Sequence, residues 1–138
     1  MKCFSKKGEM MISLELRIFP EEYSVLKFPP TAEIPAWVLS SAFMSITRVE
    51  DEISVVLPSG KIQTEFDESK GWRLLKMTGP FDFNLTGILT SVLNPLAAKG
   101  IGIFALSTYN TDYVMVQGRD LEASIEALEA ASHRILKA

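Results

Sequence analysis

In 138 residues the chain has one cysteine and one histidine. A single thiol, Cys3, cannot close an internal disulfide, which fits a reducing compartment. As a nucleophile it would need a positioned base. The lone histidine, His133, falls near the end of a C-terminal helical pattern. There it reads as a cation facing the carbonyl end of the helix rather than as a metal ligand or catalytic base. No apolar run approaches the roughly 18 residues that a membrane span needs. The opening "MKCFSKKGEMM" leads into the alternating "ISLELRIF" and offers no small-residue cleavage site, so it does not read as a signal peptide and the expectation is a cytoplasmic protein. The formal charge is −3 and the basic residues are scattered, which argues against a nucleic-acid partner. Metal-ligand spacing, a nucleophile with its base, and a glycine-rich phosphate loop are all missing, so the reading implies no cofactor, no metal and no enzyme.

What is there is pattern. "ISLELRIF" sets Ile12, Leu14, Leu16 and Ile18 on one face, the period of a half-buried strand, and "YSVLKF" follows as a second. Prolines 29, 30 and 35 allow only a short helix from about Ala36. A hairpin follows, Phe43 to Val49 and Ile53 to Leu57. In the second half, "WRLLKM" is a strand, and Ile88, Leu89, Val92, Leu93 and Leu96 have helical spacing with Pro95 inside, which predicts a kink or a late final turn before Gly100. "IGIFAL" and "YVMV" read as covered strands, and Asp120 as the cap of a helix carrying Leu121, Ile125, Leu128 and Ile135 on one side.

Internal repetition orders these elements. "YSVLKFPPT" matches "WRLLKMTGP" at an offset of 49, and "EISVVLPSG" matches "DYVMVQGRD" at an offset of 60. Each half therefore runs strand, helix, hairpin, helical connection, the ferredoxin-like order. Each half also lacks a full final strand, and "ISLELRIF" and "WRLLKM" are the segments available to complete the sheets.

The stretch Thr78–Val116, "TGPFDFNLTGILTSVLNPLAAKGIGIFALSTYNTDYVMV", resembles the second repeat of tandem ACT-domain proteins, the subgroup related to an amino-acid sensor. "LELRIFPEEYSVLKF" through "EISVVLP" is similar to the same subgroup. The resemblance implies an α+β fold of two tandem ferredoxin-like (ACT) repeats with antiparallel sheets and helices on one face, packed as one unit. The expected division is a disordered leader at 1–10, a first repeat at 11–68 and a second at 69–138. It further implies a regulatory protein that binds an amino acid and forms a homodimer. The alternative is a non-catalytic interaction or dimerisation module that has kept the fold without a ligand.

The loops fit that ligand class. A strand ends and a helix opens within "TGPFDFNLTG", so the backbone N–H groups near Leu85 to Ile88 suit a carboxylate. An ammonium group wants acceptors, for which Asp82 and Asp112 are the candidates. The residues carried over by the resemblance are Gly79, Asp82, Thr86 and Gly87 in one loop and Thr108, Tyr109 and Asp112 in the other. Met44, Ser45 and Ile46 of the first repeat's hairpin are expected to face that pocket. Plainer roles stand beside these: Asp82 or Asn84 as a helix cap, and Thr111 and Asp112 as residues that satisfy a hairpin's own backbone.

Overall fold

The computed structural model describes residues 2–4, 10–64, 67–78 and 87–137. The strands are β1 (Lys2–Phe4), β2 (Met10–Ile12), β3 (Glu15–Phe28), β4 (Ser45–Arg48), β5 (Ile53–Pro58), β6 (Asp67–Met77), β7 (Ile103–Ser107), β8 (Asp112–Gln117) and β9 (Arg134–Lys137). Three α-helices are interleaved, α1 (Ala36–Leu39), α2 (Ile88–Ala98) and α3 (Leu121–Ala130). The fold is α+β, two ferredoxin-like repeats. Its compact units do not follow the linear halves: Met1–Pro20 belongs with Leu74–Ala138, and Glu21–Arg73 forms the other unit.

Both crossings between units fall inside strands. β3 is one continuous strand where the sequence suggests two, and Pro20 sits at the crossing. Proline has no N–H to give a ladder, and Pro20 falls between the stretch of β3 paired with β9, Glu15–Ile18, and the stretch paired with β5, Tyr23–Phe28. In the 21–73 unit the strand order is β4–β5–β3–β6, so the first residues of β6 fill the position of the missing final strand. In the larger unit the order is β9–β3–β6–β8–β7, and there the start of β3 fills the vacant place. The two segments that looked surplus to the repeats thus complete them.

Alternation along the strands and helical spacing build the larger core. Leu14, Leu16, Ile18, Leu75, Met77, Val114 and Val116 meet Ile88, Val92 and Leu96 of α2 and Ile125 and Leu128 of α3 in one buried cluster. Both helices therefore cover the same sheet face, and each such side chain contributes about 1.5–3 kcal/mol by leaving water. The smaller core holds Leu26, Phe28, Val38, Ile53, Val55 and Leu57, with Trp37 packed beside them. Its one α-helix among the described residues is the four-residue α1, which the three prolines keep short. Trp72, which reads as a core residue, is half-buried and donates its indole N–H to Ser69 at 3.0 Å.

Two expectations about the C-terminal elements need correction. The helical pattern running to Ile135 stops at Ala130, and Ile135 reaches the same core from β9, which pairs parallel to β3. Asp120 stands at the N-cap of α3 but makes no side-chain capping bond. Its carbonyl accepts the Ser124 hydroxyl at 2.7 Å. Near the N-terminus, Lys2–Phe4 pairs antiparallel with Met10–Ile12.

Both long helices end in the same hydrogen-bonded closure. After α2, Ile101 N–H donates to Leu96 O and Gly100 N–H to Ala97 O, with Gly100 at φ 70°. This is the Schellman motif, whose left-handed residue suits glycine. After α3, His133 N–H donates to Leu128 O and Ser132 N–H to Glu129 O, and here a serine holds φ 72°. A side chain in that region costs about 1–2 kcal/mol.

The strained turn delivers His133 to the interior, where it is 5% exposed. Leu14 N–H donates to its Nδ1 at 3.1 Å, so that nitrogen is bare and the neutral ring carries its proton on Nε2. Nε2–H donates to the carbonyl of Ser91 at 2.8 Å. In a regular helix that carbonyl would accept from the residue four positions on. That residue is Pro95, which has no N–H. His133, expected from sequence to face the carbonyl end of the helix, is instead a buried crosslink that supplies the donor Pro95 withholds.

Replacing His133 by alanine is expected to cost about 2–4 kcal/mol, because it leaves two polar backbone groups unpaired and opens a cavity. In a Pro95→Ala background the Ser91 carbonyl regains a helical donor, so the same replacement should cost about 1 kcal/mol less in a denaturant double-mutant cycle. Strict additivity would show that the two residues do not share that carbonyl. Ser132→Gly keeps the turn and removes its strain, and should raise stability by about 0.5–1 kcal/mol in the same measurement.

Candidate functional site

Gly79, Asp82, Thr86 and Asn84 lie outside the described residues, so the site is read from its two banks. On one bank β6 ends at Met77, and Thr78 is pinned by its N–H to Glu15 O at 3.0 Å and by its hydroxyl to the same oxygen at 3.2 Å. On the other bank Gly87 stands at the N-cap of α2 with φ 81°, a left-handed conformation that favours glycine, and no side-chain cap bond closes this end among the described residues. A Cβ there would lie 3.6 Å from Ile12 Cδ1, an ordinary contact, so the backbone and not crowding asks for glycine.

The hairpin between β7 and β8 is tighter than "STYNTD" suggests. Thr108 N–H donates to Thr111 O at 2.8 Å, and Thr111 N–H finds the hydroxyl of Thr108 at 3.3 Å, leaving only Tyr109 and Asn110 at the tip. The Thr108 hydroxyl also donates to Thr111 O at 3.2 Å, so this side chain does the work of a turn residue. Ser107 and Asp112 form the last ladder pair, and the serine hydroxyl donates to Asp112 Oδ1 at 2.5 Å. A carboxylate has two oxygens and several lone pairs, so this bond does not exhaust its capacity as an acceptor. Tyr109 is 82% exposed at the tip.

Besides the ladder between β6 and β8, a side-chain bond joins hairpin and strand end. The hydroxyl of Thr111 donates to the carbonyl of Met77, the last residue of β6. Asp112 follows directly on Thr111, and residues 79–86 depart one residue beyond Met77. The structure thus brings together Thr108, Tyr109, Asp112 and the strand end that feeds the first loop. Sequence reading gave Thr111 only the role of satisfying its own hairpin. A hydroxyl reaching a partner 34 positions away leaves no local signal.

Met44, Ser45 and Ile46 belong to the 21–73 unit. Ser45 and Ile46 open β4 and pair with Val56 and Val55, and Met44 and Ile46 are exposed. Two open grooves of this unit, about 320 and 440 Å3, are lined by Val25, Lys27, Glu52 and Glu68 and by Glu21, Glu22, Ser59 and Lys61 respectively, and include none of the predicted residues. Among the described residues no group of three His, Cys, Asp or Glu side chains is placed to hold a metal ion, and no helix is long and apolar enough to cross a membrane.

Comparison with known proteins agrees with this organisation. A family model described as an ACT domain matches residues 68–130, and a model of an N-terminal domain matches residues 21–65. The crystal structure of protein Atu0741 from Agrobacterium tumefaciens is 37% identical, with a TM-score of 0.86 over 92% of this chain and 95% of that one. The cytosolic arginine sensor for mTORC1 subunit 1 of Bos taurus is 30% identical over 99 residues, 65% of this chain, and the chain spans only 30% of the sensor's length. The regulatory subunit of aspartate kinase from Thermus thermophilus shares the fold at a TM-score of 0.61 and 10% identity, over 84% of this chain and 96% of that one.

Thr111→Val removes the hydroxyl at nearly constant volume and leaves a partly buried carbonyl without that donor. Denaturant unfolding is expected to show a loss of about 1–2 kcal/mol. A loss within about 0.3 kcal/mol would mean that the hairpin is held to the strand end by other contacts.

Proposed function

The chain belongs to the ACT-domain family, and we propose that it is a regulatory, non-catalytic protein that binds an amino acid in its second repeat. In this reading the ligand lies between the loop that opens α2 and the β7–β8 hairpin loop. The observation that carries it is the Thr111 bond to Met77, which fixes the hairpin beside the origin of the first loop. The family and the arginine sensor among its relatives supply the ligand class. Backbone N–H groups at the start of α2 are suited to the ligand carboxylate, with Gly79, Thr86 and Gly87 allowing close approach. Asp82 and Asp112 are the acceptors for its ammonium group, and Thr108 and Tyr109 form the neighbouring wall. The sensor's cytosolic naming supports a cytoplasmic setting.

A second reading, a ligand-free interaction or dimerisation module, is favoured by the 21–73 unit. There Leu39, Met44, Ile46 and Val49 are exposed large apolar residues, and β4 is the outermost strand of its order, paired only with β5. An edge strand with unpaired backbone groups is a template for another chain, and under this reading Met44, Ser45 and Ile46 serve a homodimer.

A thermal-shift panel of the twenty amino acids separates the two. A ligand at 100 times its dissociation constant should stabilise the native state by about 2.7 kcal/mol. For the amino acid that binds, Asp112→Asn should weaken affinity roughly tenfold to a hundredfold, the worth of a charge-assisted hydrogen bond, with little change in the ligand-free melting temperature. No shift at millimolar concentration across the panel leaves the interaction module as the function. Unchanged affinity in the variant removes Asp112 from the site.

A further inference from the structure

We propose that the 21–73 unit carries a ligand site of its own, for a small zwitterion, on the sheet face turned away from α1. Strand alternation defines that face. Leu26 and Phe28 of β3 and Ile53 and Val55 of β5 pack with Val38 of α1 in the smaller core, so Val25, Lys27 and Ser54 project from the opposite side. Lys27 and Ser54 are a ladder pair and stand side by side there. Over them runs the open groove of about 320 Å3, completed by Glu52, Glu68 and Ser69. Small-molecule sites commonly span about 300–1,000 Å3, so this one suits a compact ligand.

The charges in the groove are left apart. The Glu68 side chain is only 14% exposed, yet among the described residues no hydrogen bond reaches its carboxylate. Its one ion-pair partner, the Lys70 ammonium, stands 3.6 Å away on a side chain that is itself 74% exposed. A carboxylate that has given up most of its water normally collects donors on both oxygens. Glu52 is half-buried in the same groove and has no ion pair, and Lys27 is exposed there with none either. Opposite charges thus line one cavity without closing on each other.

A ligand that carries both signs satisfies them together. Its ammonium group donates to Glu68 and Glu52, and its carboxylate accepts from Lys27 and the Ser54 hydroxyl. A plain cation would leave Lys27 without a partner, and a plain anion would leave both carboxylates so. Ser69 accepts the Trp72 indole N–H at 3.0 Å, which leaves the serine's own hydroxyl proton for the ligand and makes the indole a reporter of the groove. Free amino acids and short peptides share this chemistry. The site rests on these residues alone and not on the one proposed for the second repeat.

The test is proton–nitrogen NMR of the labelled full chain, titrated to millimolar concentration with one pool of the twenty free amino acids and one pool of dipeptides. The chain has two tryptophans, and the Trp72 indole signal is identified by its loss in Trp72→Phe. Saturable shifts of the Lys27, Ser54 and Ser69 amides and of the Trp72 indole are expected, and the pool that gives them tells amino acid from peptide. N-acetylation of the active compound removes its positive charge and should weaken binding roughly tenfold to a hundredfold, as should Glu68→Gln and Lys27→Gln. Asp112→Asn should leave this titration unchanged. The proposal is overturned if neither pool moves these signals, if the acetylated compound binds as tightly, or if neither groove variant weakens binding. Shifts confined to the start of α2 and the β7–β8 hairpin, or a titration that weakens with Asp112→Asn, belong to the second repeat's ligand and overturn the groove while supporting that other site. If Glu68→Gln does not fold, the exposed Lys27→Gln and the acetylated compound on the wild type decide.

Discussion

The larger unit depends on a carbonyl that its own helix cannot satisfy. Pro95 interrupts α2 and leaves Ser91 O without a helical donor in a partly buried position, where an unpaired polar group is costly. The repair comes from 42 residues away, through His133. For the ring to arrive there, α3 must end at Ala130, Ser132 must accept a left-handed conformation, and the chain must then run back beside β3 as β9. One missing N–H thus sets where a helix stops, why a serine is strained, and which strand the last residues join.

The same logic of completion governs the sheets. A ferredoxin-like repeat needs a fourth strand beside its first; the first half has none after β5, and the second half's β9 pairs with β3 rather than with β6. The chain instead runs β3 and β6 through both units, so that each strand serves one repeat along part of its length and the other repeat along the rest. Pro20 suits the crossing in β3 because it falls between the stretches paired with β9 and with β5, where neither of those ladders asks a bond of it.

Against this scaffold the candidate site is held by few bonds. The hairpin is closed by threonine side chains rather than by glycine, its carboxylate is positioned by Ser107, and Thr111 fastens it to the end of β6. Such an arrangement keeps the hairpin in register with the adjoining loop while leaving Tyr109 at its tip open to solvent. Polar groups that satisfy a turn and polar groups that meet a ligand are the same residue types here, which is why their roles were open in the sequence.

Periodicity by itself determined the strands of the two hairpins and the alternation along β3 and β6, the α2 stripe of Ile88, Val92 and Leu96, the brevity of α1 behind three prolines, and the repeat order that makes two ferredoxin-like halves. These are local matters, fixed by side-chain spacing and by proline's missing N–H. Only the tertiary structure decided the end of α3, because Ile135 keeps its apolar contact equally well from a helix or from β9. Only it decided the task of His133 and the reach of Thr111, since each rests on a partner dozens of residues away. A hydrogen bond between distant backbone and side chain has no period, and sequence spacing cannot announce it.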